Sequence, residues 1–448
     1  MKIIKTCEDW YTNRVIEDFH KRKNLNDVDY ELSRLNFAKR CCSDDANLCE
    51  IVSVSPDKKS AALKFIEELL EKNRFNVQYR KQLEKTSAMG TVGAYITLKD
   101  ATYLKDEDGS TRVEGGTPEI VYVDADCIVP LTVENDLITE CAFCASNIVK
   151  GKVETTLVIF TREDSRYKAD TVCFDVSGKK IDEKESSIQL GEIKPFSIMT
   201  NAEVNNLDNM AGYGLPKIYN SIPFFKAVDL CYNLLHGDLS KGDKLVFINE
   251  LIAHIRTNSK GEPELTSQQK EIFVLLGEKL PQEKSVIQEY NPEIRVEEIT
   301  KAFELVLSLL SMSFGYGTKK YSFENGQIKT ATEYIGERQD AMQELNKQRK
   351  NAEDYITDII RAAMWFSNQF SGTSYDLEEE LNIEFDDSFI EDKAAKLESM
   401  RADAVTFQDI PWLTFTYIKT KYNLSDEEAE KYINEGKMRE ESNTDMDD

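Results

Sequence analysis

The chain has 448 residues, too many for one simple core, so two or three structural units are expected. Fifty-six Lys and Arg against 81 Asp and Glu give a net charge of −25, the wrong sign for a protein that grips nucleic-acid phosphates. With 41% hydrophobic residues and no run of 18 apolar ones, the composition describes a folded, polar protein with no membrane span, expected to stay in the cytoplasm of the cell that makes it.

Residues 1–52 read as helical, with Trp10, Tyr11, Val15, Ile16 and Phe19 as an apolar stripe. Amphipathic helices follow at Ser60 to Phe75 and Val77 to Thr86. Five strands are predicted next: Ala94 to Leu98, Glu119 to Val123, Ile128 to Val133, Ile138 to Ala145 and Thr155 to Thr161, with Tyr167 to Phe174 continuing the pattern. Helices followed by a mostly antiparallel sheet imply an α+β arrangement. Residues 201–220 form a loop whose Gly212-x-Gly214 lacks the third glycine and the preceding strand of a phosphate loop. A helix then runs to about Ser240, with Pro223 expected in its first turn, where a missing N–H costs nothing.

The segment 242–293 is mixed, with strands at Lys244 to Ile248 and Val286 to Gln288 and a helix at Ser267 to Leu276. Beyond it, Arg295 to Phe314 has apolar residues at helical spacing, and from Leu305 to Met312 the apolar surface spreads around the helix. Such a helix must be covered on more than one side, by its own chain or by copies. Phe303, Leu305, Val306, Leu309 and Leu310 are the candidates for packing between copies. Gly315 and Gly317 end the helix, and Thr330 with Glu333 has capping-box spacing for a second helix from Ala331 to about Phe370. Residues 337–353 of that helix are almost wholly polar, Gly336 is a natural kink point, and a surface position is expected. Leu381 to Phe385 reads as a strand rejoining the first sheet. Residues 388–437 read as three helical pieces, the last with a second capping box at Ser425 and Glu428, before an acidic tail.

Phe314-Gly-Tyr-Gly, Tyr321-Ser-Phe-Glu-Asn-Gly and Lys329-Thr-Ala-Thr-Glu333 together resemble the signature segment of bacteriophage portal (head–tail connector) proteins, of the group with long non-contractile tails. Ser221 to Tyr232, Asn382 to Asp392 and Leu424 to Ala429 resemble further segments of that family, in order. The resemblance implies a portal-like subunit: a wing (1–220), a first stem helix (221–241), a clip (242–293), a second stem helix (294–314), a tunnel loop (315–330), a long kinked helix and returning strand (331–387), and a crown with its tail (388–448). It also implies a ring of identical copies, a dodecamer in the family, sited at the portal vertex of the virion. Double-stranded DNA would pass through weakly and non-specifically. The partners implied are the terminase large subunit, the major capsid and scaffolding proteins, and a head-completion (adaptor) protein. In the tunnel loop Lys319, Lys320, Tyr321 and Lys329 are the candidates for lining the channel.

Enzyme chemistry finds little support in the residues. The histidines, His20, His236 and His254, stand apart from any nucleophile, and no Walker-type loop exists. Cys141-Ala-Phe-Cys144 is the only CxxC and lies in a predicted strand, so neither metal nor cofactor is expected. Asp386-Asp387 with Glu391-Asp392-Lys393 has the residue types of a metal-dependent nuclease, but acids at a helix start have a dipole reason to be there. The rival readings are that nuclease and a minor capsid structural protein.

Overall fold

In the computed structural model the chain divides into two compact units, one of Met1–Cys49 with Ser55–Asn382, the other of Glu50–Val54 with Ile383–Asp448. The structure describes residues 1–23, 27–56, 60–105, 111–181, 185–208, 210–242, 245–249, 256–257, 263–264, 273–276, 287–291, 293–318, 320–321, 331–386, 393–406, 411–422, 424 and 429–433. For residue 241, the strands between 245 and 290, and residues 331–342, 344 and 393–396, only the backbone is described. The architecture is mixed helix and sheet, as the α+β expectation required.

The first unit opens with helices α1 (Lys2–Tyr11) and α2 (Glu17–His20), then a hairpin of β1 (Lys21–Lys23) and β2 (Asp29–Glu31). Residues 1–52 are therefore not all helical. The run Lys21-Arg22-Lys23 pairs with Asp29–Glu31 as a ribbon, and none of its side chains is buried, so periodicity carries no signal there. Helix α3 (Phe37–Ala46) leads to β3 (Ile51–Pro56), and α4 (Ala62–Lys72) and α5 (Phe75–Met89) follow.

Strands β4 (Thr91–Lys99), β5 (Thr102–Lys105), β6 (Thr111–Glu114), β7 (Thr117–Asp124), β8 (Ile128–Glu134), β9 (Leu137–Val149), β10 (Lys152–Glu163), β11 (Arg166–Phe174), β12 (Ser186–Gln189) and β13 (Phe196–Thr200) are antiparallel throughout. They form a three-stranded sheet in the order β13-β4-β7, a five-stranded sheet in the order β12-β11-β10-β9-β8, and the β5-β6 hairpin. Tyr95 of the first sheet meets Phe143 and Phe160 of the second with ring centroids 5.2 and 5.8 Å apart, and Phe196 closes the same cluster. Alternation along β9 and β10 places these rings on the inner faces.

Helix α6 (Lys217–Lys241) begins six residues before Pro223. Pro223 is therefore interior, not in the first turn. Pro216 takes the position just ahead of the helix, and Pro223 has no N–H to offer the Tyr219 carbonyl. Strands β14 (Leu245–Asn249), β15 (Arg256–Thr257), β16 (Pro263–Glu264), β17 (Phe273–Leu276) and β18 (Ile287–Tyr290) make up the next segment. β17 pairs in parallel with β14, so 273–276 is strand where a helix was expected. A short apolar run such as Phe-Val-Leu-Leu fits either structure, and pairing with Val246–Asn249 decides it. Helices α7 (Val296–Ser313) and α8 (Ala331–Phe370) complete the unit.

Helix α8 changes character along its length. Its first half is polar, as the sequence indicates, whereas Tyr355, Ile356, Ile359, Ile360, Ala363 and Met364 are buried, and the helix packs on β4, β7 and β13. The second unit holds β19 (Leu381–Phe385), α9 (Lys393–Thr406) and α10 (Pro411–Tyr422). β19 pairs with β3, not with the three-stranded or the five-stranded antiparallel sheet it was expected to rejoin. Ser53 Oγ donates to Glu384 Oε2 at 3.0 Å, and the Asp386 amide to the Glu50 carbonyl at 2.8 Å. The second capping box, Ser425 with Glu428, lies outside the described residues, as do the acids of the 434–448 tail.

Candidate assembly surface and channel segment

Helices α6 and α7 form an antiparallel hairpin. At one end Ser221 and Ser313 hydroxyls lie 2.8 Å apart and the Phe225 and Phe314 rings meet at 6.2 Å. At the other, Arg295 forks onto Asp238, with Nε and Nη2 donating to the two carboxylate oxygens at 2.9 and 2.8 Å. Planar guanidinium and carboxylate fit bidentately, so this exposed pair fixes register more than it adds stability.

The buried side of α7 carries Ile299, Leu307, Leu310, Ser311 and Phe314. Leu310 is fully enclosed by its own chain and has nothing left to offer a neighbour, which corrects its assignment to packing between copies. Phe303 and Val306 are half-buried. Leu305, Leu309 and Met312 remain 62, 36 and 56% exposed, at i, i+4 and i+7, and so form one ridge on the opposite side of the helix. Helix α6 repeats the spacing: Leu230 and Leu234 are exposed, and the third position is Gly237. Fully burying a Leu or Met is worth about 1.5–3 kcal/mol, so the chain leaves a few kcal/mol of apolar burial unrealised on each of the two helices.

The segment after α7 is tied down by a buried polar hub. Gly315 and Gly317 take positive φ, +80 and +72°, which turns the chain back. Tyr316 is then buried and donates its hydroxyl to Asp45 Oδ1 at 2.8 Å. The same carboxylate receives Lys217 Nζ at 2.8 Å and the Ser87 hydroxyl. Burial, and next the adjacent Asp45 charge, push the Tyr316 hydroxyl well above its ordinary pKa. An ion pair this enclosed is not evidence of large net stability, but removing one partner typically costs about 3–5 kcal/mol because a buried charge is left uncompensated. The hub joins α3, α5, the start of α6 and the end of α7, with sequence separations of 42, 172 and 271 residues.

Of the four channel candidates, Lys320 and Tyr321 are described. Lys320 is exposed, its amide bonded to Ser311 Oγ at 3.2 Å and its ammonium 5.6 Å from the Tyr316 ring centroid. Tyr321 is an internal anchor and does not face a channel: its ring stands edge-on to Phe37 and Tyr316, and its buried hydroxyl sits by Cys41 and Asp44. Lys319, Lys329 and Thr330 lie outside the described residues, as does the Glu333 side chain. Helix α8 begins at Ala331.

A second clasp holds the N-terminal segment to α6. His20 Nδ1 accepts the Ile16 amide at 2.9 Å, so the ring proton is on Nε2, which faces Asp229 Oδ2 at 3.3 Å. Asp229 also accepts the Leu35 amide, and Asn233 bonds both the amide and the carbonyl of Ser33. Burial raises the Asp229 pKa against the opposing pull of these donors.

The remaining motifs resolve into packing. Gly214 and Gly90 pass so closely that a Cβ on either would strike the other's backbone, so the Gly-x-Gly serves a close approach of chain to chain. Cys141 and Cys144 lie three apart on β9, on opposite faces, where they cannot chelate one ion. His236 is exposed on α6, and His254 lies outside the described residues. Asp387, Glu391 and Asp392 also lie outside them. Among the described residues no helix is long and apolar enough to cross a membrane.

No family model matches the chain, and no curated protein matches it. Among solved structures it is similar to a chain of the "neck of native GTA particle computed with C12 symmetry", at 10% identity, over 83% of this chain and 86% of that one. The TM-score is 0.40, too low for the likeness to carry a functional conclusion.

Proposed function

We propose that this chain is the subunit of a phage portal: a ring of identical copies that forms the channel for DNA entering and leaving the capsid, with no catalytic site of its own. The observation that carries the reading is the α6/α7 hairpin, with a separate exposed apolar face on each helix, Leu230 and Leu234 on α6 and Leu305, Leu309 and Met312 on α7. Two different apolar faces on one element call for a head-to-tail contact, and a head-to-tail contact whose rotation closes makes a ring. The family resemblance at Phe314 to Gly317 and Tyr321 to Gly326 falls at the end of this hairpin, where the resemblance puts the tunnel loop. An overall charge of −25 suits a wall that DNA slides past, and lysines such as Lys320 would supply only weak, salt-sensitive contacts.

On this reading the terminase large subunit and the head-completion protein dock on the segment 242–293, and the capsid and scaffolding proteins on the sheets of 1–220. Mass photometry and negative-stain imaging of the purified full chain test the reading. The expected result is a ring with a central hole and a mass near twelve copies. A chain that stays single at micromolar concentration would overturn it.

A further inference from the structure

We infer that the N-terminal β1–β2 hairpin and α6 form a receiving groove for the next copy, and that the α7 ridge of that copy lies in it with Leu305 against Gly237. This rests on the ring reading above and names the contact that would close it. A groove of about 920 Å³ runs along α6, floored by Leu230, Leu234 and Gly237 and walled by Arg22, Tyr30 and Leu32. The wall is held in place by the Asn233 and Asp229 bonds to residues 33 and 35, so the groove is built before anything enters it.

Two observations select a second copy as the occupant. The floor residues 230, 234 and 237 and the ridge residues 305, 309 and 312 share one spacing, i, i+4, i+7. Copies related by rotation about a ring axis keep the antiparallel sense of α6 and α7, which sets Leu230 opposite Met312 and Gly237 opposite Leu305. The second observation is Gly237 itself. It sits inside a 25-residue helix, where glycine is unfavourable, yet a Cβ built on it meets nothing within 4 Å. Its own chain has no use for the missing side chain, whereas an approaching helix does.

The full chain carrying Gly237→Trp tests this. Open space around residue 237 lets the variant fold, so its circular dichroism and melting as a single copy should match wild type, while the ring fraction by mass photometry falls at least tenfold. Gly237→Ala, too small to fill the groove, should keep its rings. In a second measurement, Gly237→Cys combined with Leu305→Cys is oxidised and run on a denaturing gel. A ladder of multimers is expected, with neither single variant giving one. Wild-type rings together with normal assembly of Gly237→Trp, or with no ladder from the double variant, would overturn the groove while leaving the ring reading intact. Absence of rings in the wild type would overturn both.

Discussion

At the scale of single residues, the first unit buries ionisable groups that it holds neutral. Burial pushes the thiols of Cys7, Cys49 and Cys141 from an ordinary value of 9.0 up to about 12. The sign follows from proton binding. An unfolded chain releases these protons as pH passes 9, and the folded chain keeps them until about 12, so unfolding at alkaline pH releases protons. Stability from these groups is fully present below pH 9 and falls as pH rises from there toward 12. Urea midpoints measured at steps from pH 8 to pH 11 should decline, and Cys→Ala at these three positions should flatten the decline. A midpoint that holds steady across that range would contradict the burial. The Asp45 hub belongs to the same scale: one carboxylate takes three donors from three distant parts of the chain.

Among the elements, α7 separates two kinds of leucine that sit a few residues apart. Leu310 faces α6 and is fully enclosed, so Leu310→Ala leaves a cavity and should cost the subunit about 2–5 kcal/mol in urea unfolding. Leu305 is 62% exposed, and Leu305→Asp should change subunit stability by less than about 0.5 kcal/mol while abolishing rings. Measured side by side, unfolding and ring yield should dissociate in opposite directions for the two variants. Loss of folding in both would mean the ridge is part of the subunit core after all, and intact rings in Leu305→Asp would mean that it takes no part in assembly. Pro223 inside α6 is a further local cost, since an interior proline lacks one helix hydrogen bond and crowds the preceding turn.

For the molecule as a whole, ring closure should add stability that a single copy lacks. Assembly binds only the folded chain, so the apparent melting temperature should rise with protein concentration. Scans over two decades of concentration read this directly, and Gly237→Trp should remove the dependence. A wild-type melting temperature that ignores concentration would mean that the hairpin's two apolar sides contribute nothing by association. With 81 acids against 56 bases, the proposed ring should assemble more readily as salt is raised, because like charges brought together repel less when screened.

Amino-acid order alone was enough to place β4, β7 to β11, the hairpin helices and the 40-residue α8, because their periods are long and internally consistent, whereas β5, β6, β12 and β13 were not predicted. It also located the apolar excess between 305 and 312. Short segments were not legible: 21–31 pairs as a ribbon, 273–276 is drawn into a parallel pairing, and 381–385 joins 51–56, each fixed by a partner strand rather than by its own pattern. Which leucines of α7 are spent inside the copy and which remain outside was likewise a matter for the tertiary structure, since a helix greasy on several sides does not say which side its own chain will cover. The Asp45–Lys217–Tyr316 hub and the groove beside Gly237 exist only where residues hundreds of positions apart are brought together, and no local spacing encodes that meeting.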